Sequence, residues 1–203
     1  MIVGAGISGL TTYLFLDKLL RPKLDANTQL EILLYDSHEA PKNADRPSPS
    51  LVAPSAFAQG VGGVLGIWPN GLRVLKELDE DLCRSVANRG YPVSTFRFRN
   101  SHGTKLADFP TTNFTDPPLH TVMITRQAVW DALRDRVPDS AVSRKGVSRV
   151  LLGSHSQGPR IQFADGSPDD EADLVIGADG VRSVVKRAVT GDGKKDNYPA
   201  IYE

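Results

Sequence analysis

The stretch MIVGAGISGL, residues 1–10, decides the fold of this chain. Two apolar residues after the initial Met are typical of the end of a buried strand. Three glycines with the spacing G-x-G-x-x-G then follow: Gly4, Gly6 and Gly9. In a turn of this kind the first glycine permits a tight bend, and the second lets the backbone approach a pyrophosphate. The third lets the following helix pack closely on the strand.

A helix, a second strand and an acid follow the glycines. The apolar run Leu10–Leu20 predicts a helix that Pro22 ends, and LEILLY (Leu30–Tyr35) predicts a second buried strand. Asp36 comes next, somewhat farther from the glycines than the usual spacing of about 20 residues. A carboxylate there accepts hydrogen bonds from a ribose diol and repels a 2′-phosphate, which favours FAD or NAD over NADP. The pattern therefore predicts a dinucleotide site. An ordinary glycine turn and a solvated Asp36 are the alternatives.

Composition narrows the class of protein. The chain has 203 residues, and 24 basic side chains balance 24 acidic ones, so nothing favours a nucleic-acid partner. Cys83 is the only cysteine, which excludes an internal disulfide and suits a reducing compartment. The sequence shows no signal peptide and no transmembrane segment, so we expect a cytoplasmic protein. The four histidines are scattered, and we expect no metal site.

The middle of the chain departs from simple alternation of strands and helices. A proline-rich connection covers Pro41–Pro54, and a helical pattern begins at Asn70. Thr95–Arg99 alternates as a half-buried strand does, and Lys105–Phe109 is its predicted partner across a turn. A further strand is predicted at 120–124. Thr125 then caps a helix that Pro138 ends.

The last third of the chain returns to the first pattern. Val147–Leu152 and Arg160–Phe163 are predicted strands with polar turns after them. Leu174–Ile176 is a predicted buried strand that runs into a turn and a helix. We expect this strand to join those near residues 1–4 and 30–36 in one parallel sheet.

Four stretches together resemble a known family, the class A FAD-dependent monooxygenases that include salicylate and p-hydroxybenzoate hydroxylases. VGAGISGL, with the acid of LLYDSHE, resembles the family's FAD-binding βαβ unit. GGVLGIWPNGLRVLKEL resembles the segment beside the flavin, and ITRQAVWDAL resembles an arginine-bearing helix start. ADLVIGADGVRSVVKRAV resembles the D-G motif and is the most specific of the four.

The resemblance implies an α/β fold. It is an FAD-binding, Rossmann-like domain of the glutathione-reductase type with an inserted antiparallel sheet. Within 1–203 we expect a partial FAD-binding domain. Its βαβ unit is 1–36, its flavin-side segment 55–80 and its D-G strand and helix 173–189. The antiparallel strands at about 91–125 belong to a partial substrate domain. The family's downstream G-D motif is not found, since the GDG at 191–193 lies too close to the D-G motif. We therefore expect a truncated, N-terminal piece.

The resemblance also implies roles for individual residues. Around the FAD pyrophosphate, adenosine ribose, ribityl chain and flavin ring, it places Gly4, Gly6, Gly9, Asp36, Gly62, Gly63, Arg126, Asp179 and Gly180. The family more often has Glu where this chain has Asp36. Two of these residues have plainer interpretations: Arg126 as an exposed residue of a helix's first turn, and Asp179 as the cap of the next helix. No catalytic side chain is identified.

The implied activity is hydroxylation of a small organic molecule, aromatic or polyketide-like, using FAD, O2 and NADPH or NADH as a transient reductant. The alternative is a non-catalytic FAD- or nucleotide-binding remnant, or an incomplete gene model. An NAD-dependent dehydrogenase fits the D-G motif and the non-alternating middle poorly. A flavin-dependent halogenase is disfavoured because Trp68 stands in IWPNG rather than in a W-x-W-x-I-P motif.

Overall fold

A computed structural model describes residues 1–25, 27–37, 63–111, 120–154 and 157–191. The chain divides into two compact units. The first combines Met1–Ala40 with Val137–Glu203, and the second is Pro41–Arg136. The predicted connection Pro41–Pro54 and Gly62 lie outside the described residues.

A parallel sheet forms the centre of the first unit. Its strands are β1 (Ile2–Val3), β2 (Leu34–Tyr35), β8 (Val142–Ser143) and β12 (Ile176–Gly177), in the order β12-β1-β2-β8. Ile2 pairs with Leu34 on one side and with Ile176 on the other. This arrangement confirms the predicted α/β fold. The strands are shorter than predicted, since only the last two residues of LEILLY belong to β2.

Helices and a second sheet surround the parallel sheet. Helix α1 (Ile7–Leu20) contacts β1 and β2, and a 3-10 turn at Arg21–Lys23 follows it at Pro22, as predicted. The second sheet is antiparallel, with the order β11-β10-β9, and its strands are β9 (Val147–Leu151), β10 (Arg160–Phe163) and β11 (Asp170–Glu171). Helix α5 (Val184–Thr190) packs on β9 and β12.

Neighbouring residues of the parallel strands point to opposite faces of the sheet. Val3 and Tyr35 join one buried cluster with Ile161 and Phe163. Ile2 and Leu34, both fully buried, lie on the opposite face. Burial of β1 and β2 on both faces explains their apolar runs. The prediction of a buried strand at Leu174–Ile176 is wrong in part, since Leu174 is 59% exposed and Ile176 is only half-buried.

The second unit contains the inserted antiparallel strands. One sheet has the order β3-β7-β4, and β5 and β6 form a separate two-stranded hairpin. The bounds are β3 Val64–Ile67, β4 Tyr91–Val93, β5 Thr95–Arg99, β6 Lys105–Pro110 and β7 Thr121–Thr125. Three helices complete the described part of the unit: α2 Pro69–Leu78, α3 Glu80–Arg89 and α4 Arg126–Arg134. The helical pattern from Asn70, the hairpin and the capped helix are confirmed.

Candidate functional site

The three glycines of the opening stretch lie between β1 and α1, where the pattern predicts them. Gly4 follows β1 and has φ +101°, a conformation that favours glycine. Its N–H donates to the carbonyl oxygen of Tyr35 at 2.7 Å. Gly6 immediately precedes α1, and Gly9 lies in the helix's first turn. The turn therefore connects a sheet strand directly to a helix N-terminus.

Packing requires glycine at two of these positions. A Cβ atom on Gly4 would lie 2.4 Å from the carbonyl oxygen of Ala178, and one on Gly9 would lie 1.9 Å from that of Gly4. Both neighbours are backbone atoms, which have little room to move. Gly4 and Gly9 are therefore explained by the fold itself.

Gly6 is different, because nothing within the described structure requires glycine there. Its φ of −72° and ψ of −176° are open to any residue. A Cβ atom added to it would meet no atom within 4 Å. A side chain at this position would instead occupy the space in front of the helix N-terminus. The backbone N–H groups of the first turn have no intrahelical partners, and the helix dipole there favours an anion.

Asp36 lies against the same turn. It directly follows β2, and its Oδ2 accepts a hydrogen bond from the N–H of Ala5 at 2.7 Å. Ala5 is 7% exposed. The structure thus brings Asp36 to the glycine turn, although the sequence analysis assigned it only to a ribose. This contact depends on the strand register, which the sequence analysis did not use. Val3 pairs with Tyr35, so the residues that follow the two strands leave the sheet next to each other.

The D-G motif also reaches this turn. The N–H of Ala178 donates to the carbonyl oxygen of Val3 at 2.7 Å, and the Ala178 Cβ lies 3.4 Å from the Cβ position of Gly9. Gly180 has φ +74°, which explains glycine at this position. Two motifs from opposite ends of the chain therefore meet beside β1. Ala178 itself was not singled out from the sequence.

The Asp179 carboxylate stabilises the start of α5. Its Oδ2 accepts hydrogen bonds from the N–H groups of Val184 at 2.6 Å and Val185 at 3.3 Å. Its Oδ1 accepts one from the Ser183 hydroxyl at 2.5 Å, and Ser183 in turn caps the helix by accepting from the N–H of Lys186 at 2.9 Å. These contacts agree with the interpretation of Asp179 as a residue that stabilises the start of the next helix. The helix begins at Val184.

Arg126 and Gly63 lie in the second unit. The N–H of Arg126 donates to the carbonyl oxygen of Gly63 at 3.1 Å. The Arg126 side chain is exposed at the first residue of α4, and the Thr125 hydroxyl caps that helix by accepting from the N–H of Ala128 at 3.2 Å. These contacts agree with the plainer interpretation of Arg126. The flavin role assigned to Arg126 and Gly63 stays a prediction, as does that of Gly62.

Tyr35 anchors the buried side of the site. Its hydroxyl donates to Asp170 Oδ2 at 2.7 Å, and its ring centroid lies 5.3 Å from that of Phe163. Burial, followed by this hydrogen bond to a carboxylate, raises the pKa of the Tyr35 hydroxyl. Strand β2, which Asp36 follows, is therefore held on its buried side by the hydroxyl and ring contacts of an un-ionised Tyr35.

The described residues contain neither a candidate membrane-spanning helix nor a candidate metal site. None of the helices in the described ranges is long and apolar enough to cross a membrane. No group of three or more His, Cys, Asp or Glu residues in those ranges is arranged to hold a metal ion.

The chain is similar in sequence to several monooxygenases, and no family model matches it. It is 31% identical over 199 residues to the 3-amino-4-hydroxybenzoate 2-monooxygenase of Streptomyces cremeus, covering 96% of this chain and 42% of that protein. It is 29% identical over 137 residues to the FAD-dependent monooxygenase andE of Emericella variicolor, covering 66% of this chain and 28% of that protein. The chain thus spans less than half the length of these relatives.

Solved structures share the fold. The 2,6-dihydroxypyridine-3-hydroxylase of Arthrobacter nicotinovorans matches with a TM-score of 0.59 at 22% identity, over 93% of this chain and 38% of that one. HpxO of Klebsiella pneumoniae, crystallised with FAD and uric acid, matches with a TM-score of 0.60 at 21% identity, over 92% and 40%. Likeness at this identity concerns the fold alone. The sequence matches show that the chain is homologous to FAD-dependent monooxygenases over the part of their length that it spans.

Proposed function

We propose that this chain forms the FAD-binding part of a flavin-dependent monooxygenase. The observation that carries the proposal is Gly6. The fold explains Gly4 and Gly9, but neither backbone conformation nor packing explains glycine at position 6. A dinucleotide pyrophosphate placed at the start of α1 does explain it, since a side chain there would occupy the ligand's space.

The residues of the first unit suit the parts of FAD. The glycine turn and the first N–H groups of α1 hold the pyrophosphate, and Asp36 holds the adenosine ribose. A carboxylate has about four acceptor positions, so a bond to Ala5 is compatible with a second bond to a ribose hydroxyl. The negative charge of Asp36 disfavours a 2′-phosphate at this position. Asp179 has an indirect role in this proposal: its hydrogen bonds to the start of α5 set the direction of the turn at Gly180.

The family resemblance assigns further residues to the rest of the cofactor. It places Arg126 near the FAD phosphates or ribityl chain, and Gly62 and Gly63 beside the flavin ring. The N–H of Arg126 donates to the carbonyl oxygen of Gly63, and the Arg126 side chain is exposed. This assignment is independent of the glycine turn and is tested separately by variants at Arg126.

The cofactor supplies the redox chemistry, with NADPH or NADH as the source of electrons and O2 as the oxidant. One oxygen atom enters the substrate as a hydroxyl group, and the other leaves as water with two electrons from the nicotinamide. The residues of this chain bind and orient the cofactor. A small aromatic or polyketide-like molecule is the proposed substrate class, because relatives of the chain include a hydroxybenzoate monooxygenase.

A fluorescence titration with FAD tests the proposal. We expect saturable quenching of flavin fluorescence by the unmodified chain and an affinity at least about tenfold lower for Gly6→Val. Leu19→Ala is the control. Leu19 is 49% exposed at the other end of α1, roughly 18 Å along the helix from its start. Equal affinity in Gly6→Val and the unmodified chain would contradict the proposed site.

A further inference from the structure

The hydrogen bond between Asp36 and Ala5 joins the predicted ribose acid to the predicted pyrophosphate turn. The Ala5 N–H donates to Asp36 Oδ2 at 2.7 Å in a partly buried setting. Charge-assisted bonds of this kind are roughly twice as strong as neutral ones. The contact is therefore a substantial constraint on the peptide between Gly4 and Ala5.

The backbone on both sides of this bond is already fixed. Gly4 donates its N–H to Tyr35 at 2.7 Å, and Asp36 donates its own to Ser143 at 3.1 Å. The carboxylate thus projects from a strand end that is hydrogen-bonded on its far side. It holds the neighbouring loop at a set distance from β2.

Ala5 is the position where such a constraint has most effect. It lies between Gly4 and Gly6, and glycine loses more conformational freedom on ordering than any other residue. A turn with glycine on both sides of one residue would otherwise sample many directions. A turn that is ordered before the ligand arrives has a smaller entropic cost of binding.

We infer that Asp36 is a positioning residue for the pyrophosphate turn, in addition to any contact with the ribose. By accepting the Ala5 N–H, it orients the peptide before Gly6 and the first N–H groups of α1 toward the phosphates. This inference rests on the proposed FAD site. It differs from a ribose role because it extends to ligands that contain no ribose.

Two substitutions separate the roles. Asp36→Asn and Asp36→Ala both remove the negative charge, but only the asparagine keeps an oxygen that can accept the Ala5 N–H. Inorganic pyrophosphate is the probe, since it has the phosphates of FAD and no ribose. Asp25→Ala is the control, because Asp25 likewise accepts a backbone N–H, from Asn27 at 3.2 Å, but lies beyond the far end of α1.

The measurements are amide hydrogen exchange at Ala5 without ligand and displacement of FAD by pyrophosphate. We expect Ala5 to exchange about tenfold faster in Asp36→Ala than in Asp36→Asn, and pyrophosphate to bind about fivefold more weakly. Asp25→Ala should change neither quantity. A global loss of stability in Asp36→Ala would instead accelerate exchange across all of α1.

The outcomes distinguish this inference from the proposed function. If the unmodified chain binds FAD and the two Asp36 variants have equal Ala5 exchange and equal pyrophosphate affinity, the inference alone is wrong. Weaker FAD binding with unchanged pyrophosphate binding in Asp36→Ala also overturns it, in favour of a ribose-only role. If the unmodified chain does not bind FAD, the proposed function is wrong and the inference falls with it.

Discussion

Replacing Gly9 by alanine sets two physical effects against each other. Gly9 lies in the first turn of α1, and alanine is more favourable than glycine inside a helix by about 1 kcal/mol. The added Cβ would, however, lie 1.9 Å from the carbonyl oxygen of Gly4. Relieving that clash requires α1 to move away from β1, because the carbonyl belongs to the backbone and a Cβ atom is attached directly to the backbone of the helix.

The size of the effect follows from what the movement uncovers. Leu10 and Ile2 are both fully buried. Overpacking of this kind costs about 1–3 kcal/mol and occasionally more, and a backbone neighbour places this case at the upper end. Less the helix gain of about 1 kcal/mol, we expect Gly9→Ala to lower the free energy of unfolding by about 2 kcal/mol, which corresponds to a fall in Tm of roughly 4–8 °C.

Thermal and urea unfolding of Gly9→Ala beside Gly6→Ala measure this difference. Gly6→Ala is the matched control, because its Cβ would meet no atom within 4 Å and its φ of −72° suits alanine. We expect Gly6→Ala to unfold within about 1 kcal/mol of the unmodified chain. A Gly9→Ala variant as stable as the unmodified chain, or a Gly6→Ala variant as unstable as Gly9→Ala, would refute the division of the glycines into structural and ligand-facing positions.

Substitutions at three further positions test the contacts around the site by chemical unfolding. Thr125→Ala removes the cap of α4 and should cost about 1 kcal/mol, whereas Thr125→Ser should retain most of the stability. Asp179→Ala leaves two N–H groups and one hydroxyl at α5 without their acceptor and should cost about 1–2 kcal/mol, with a smaller loss in Asp179→Asn. Tyr35→Phe should also destabilise the chain. Because the folded state raises the pKa of Tyr35, its stabilising effect should be constant below a pH of about 10, where the unfolded tyrosine begins to ionise, and should decline above it. A difference between Tyr35→Phe and the unmodified chain that grows with pH above 10 would contradict this sign.

Three of the four strands of the parallel sheet were predicted from the sequence, because each carries a distinct local signal, whereas the two-residue strand β8 was not predicted. The glycine turn, the apolar run before Asp36 and the strand before the D-G motif all have residue types that suit only a few conformations. Thr125 likewise indicated a helix start through its capping hydroxyl, and the structure shows that bond.

Elements with weaker local signals were missed. Helix α3 buries only Leu82 and Val86, which is too short an apolar pattern to stand out. Strand β3 contains Gly66, a residue that weakens strand propensity, and β4 is three residues long. Both strands depend on pairing with β7, which is a tertiary effect.

The contacts that complete the site depend on register and on distant parts of the chain. The bond from Ala5 to Asp36 follows from the pairing of β1 with β2, and the position of Ala178 over Gly4 follows from the pairing of β1 with β12. The motifs predicted which residues belong near the turn. They did not predict that Asp36 accepts the N–H of Ala5, whereas the capping interpretation of Asp179 did anticipate that its carboxylate accepts N–H groups at the start of α5.

Amide chemical shifts of the 15N-labelled chain during titration with FAD test the central claim most directly. The claim is that the N–H groups at the start of α1 face the pyrophosphate. We predict saturable shifts, with one FAD per chain, that are largest at Gly6 and at Ile7, Ser8 and Gly9 in the first turn. Shifts that are absent from these four amides while FAD binds elsewhere would contradict the account.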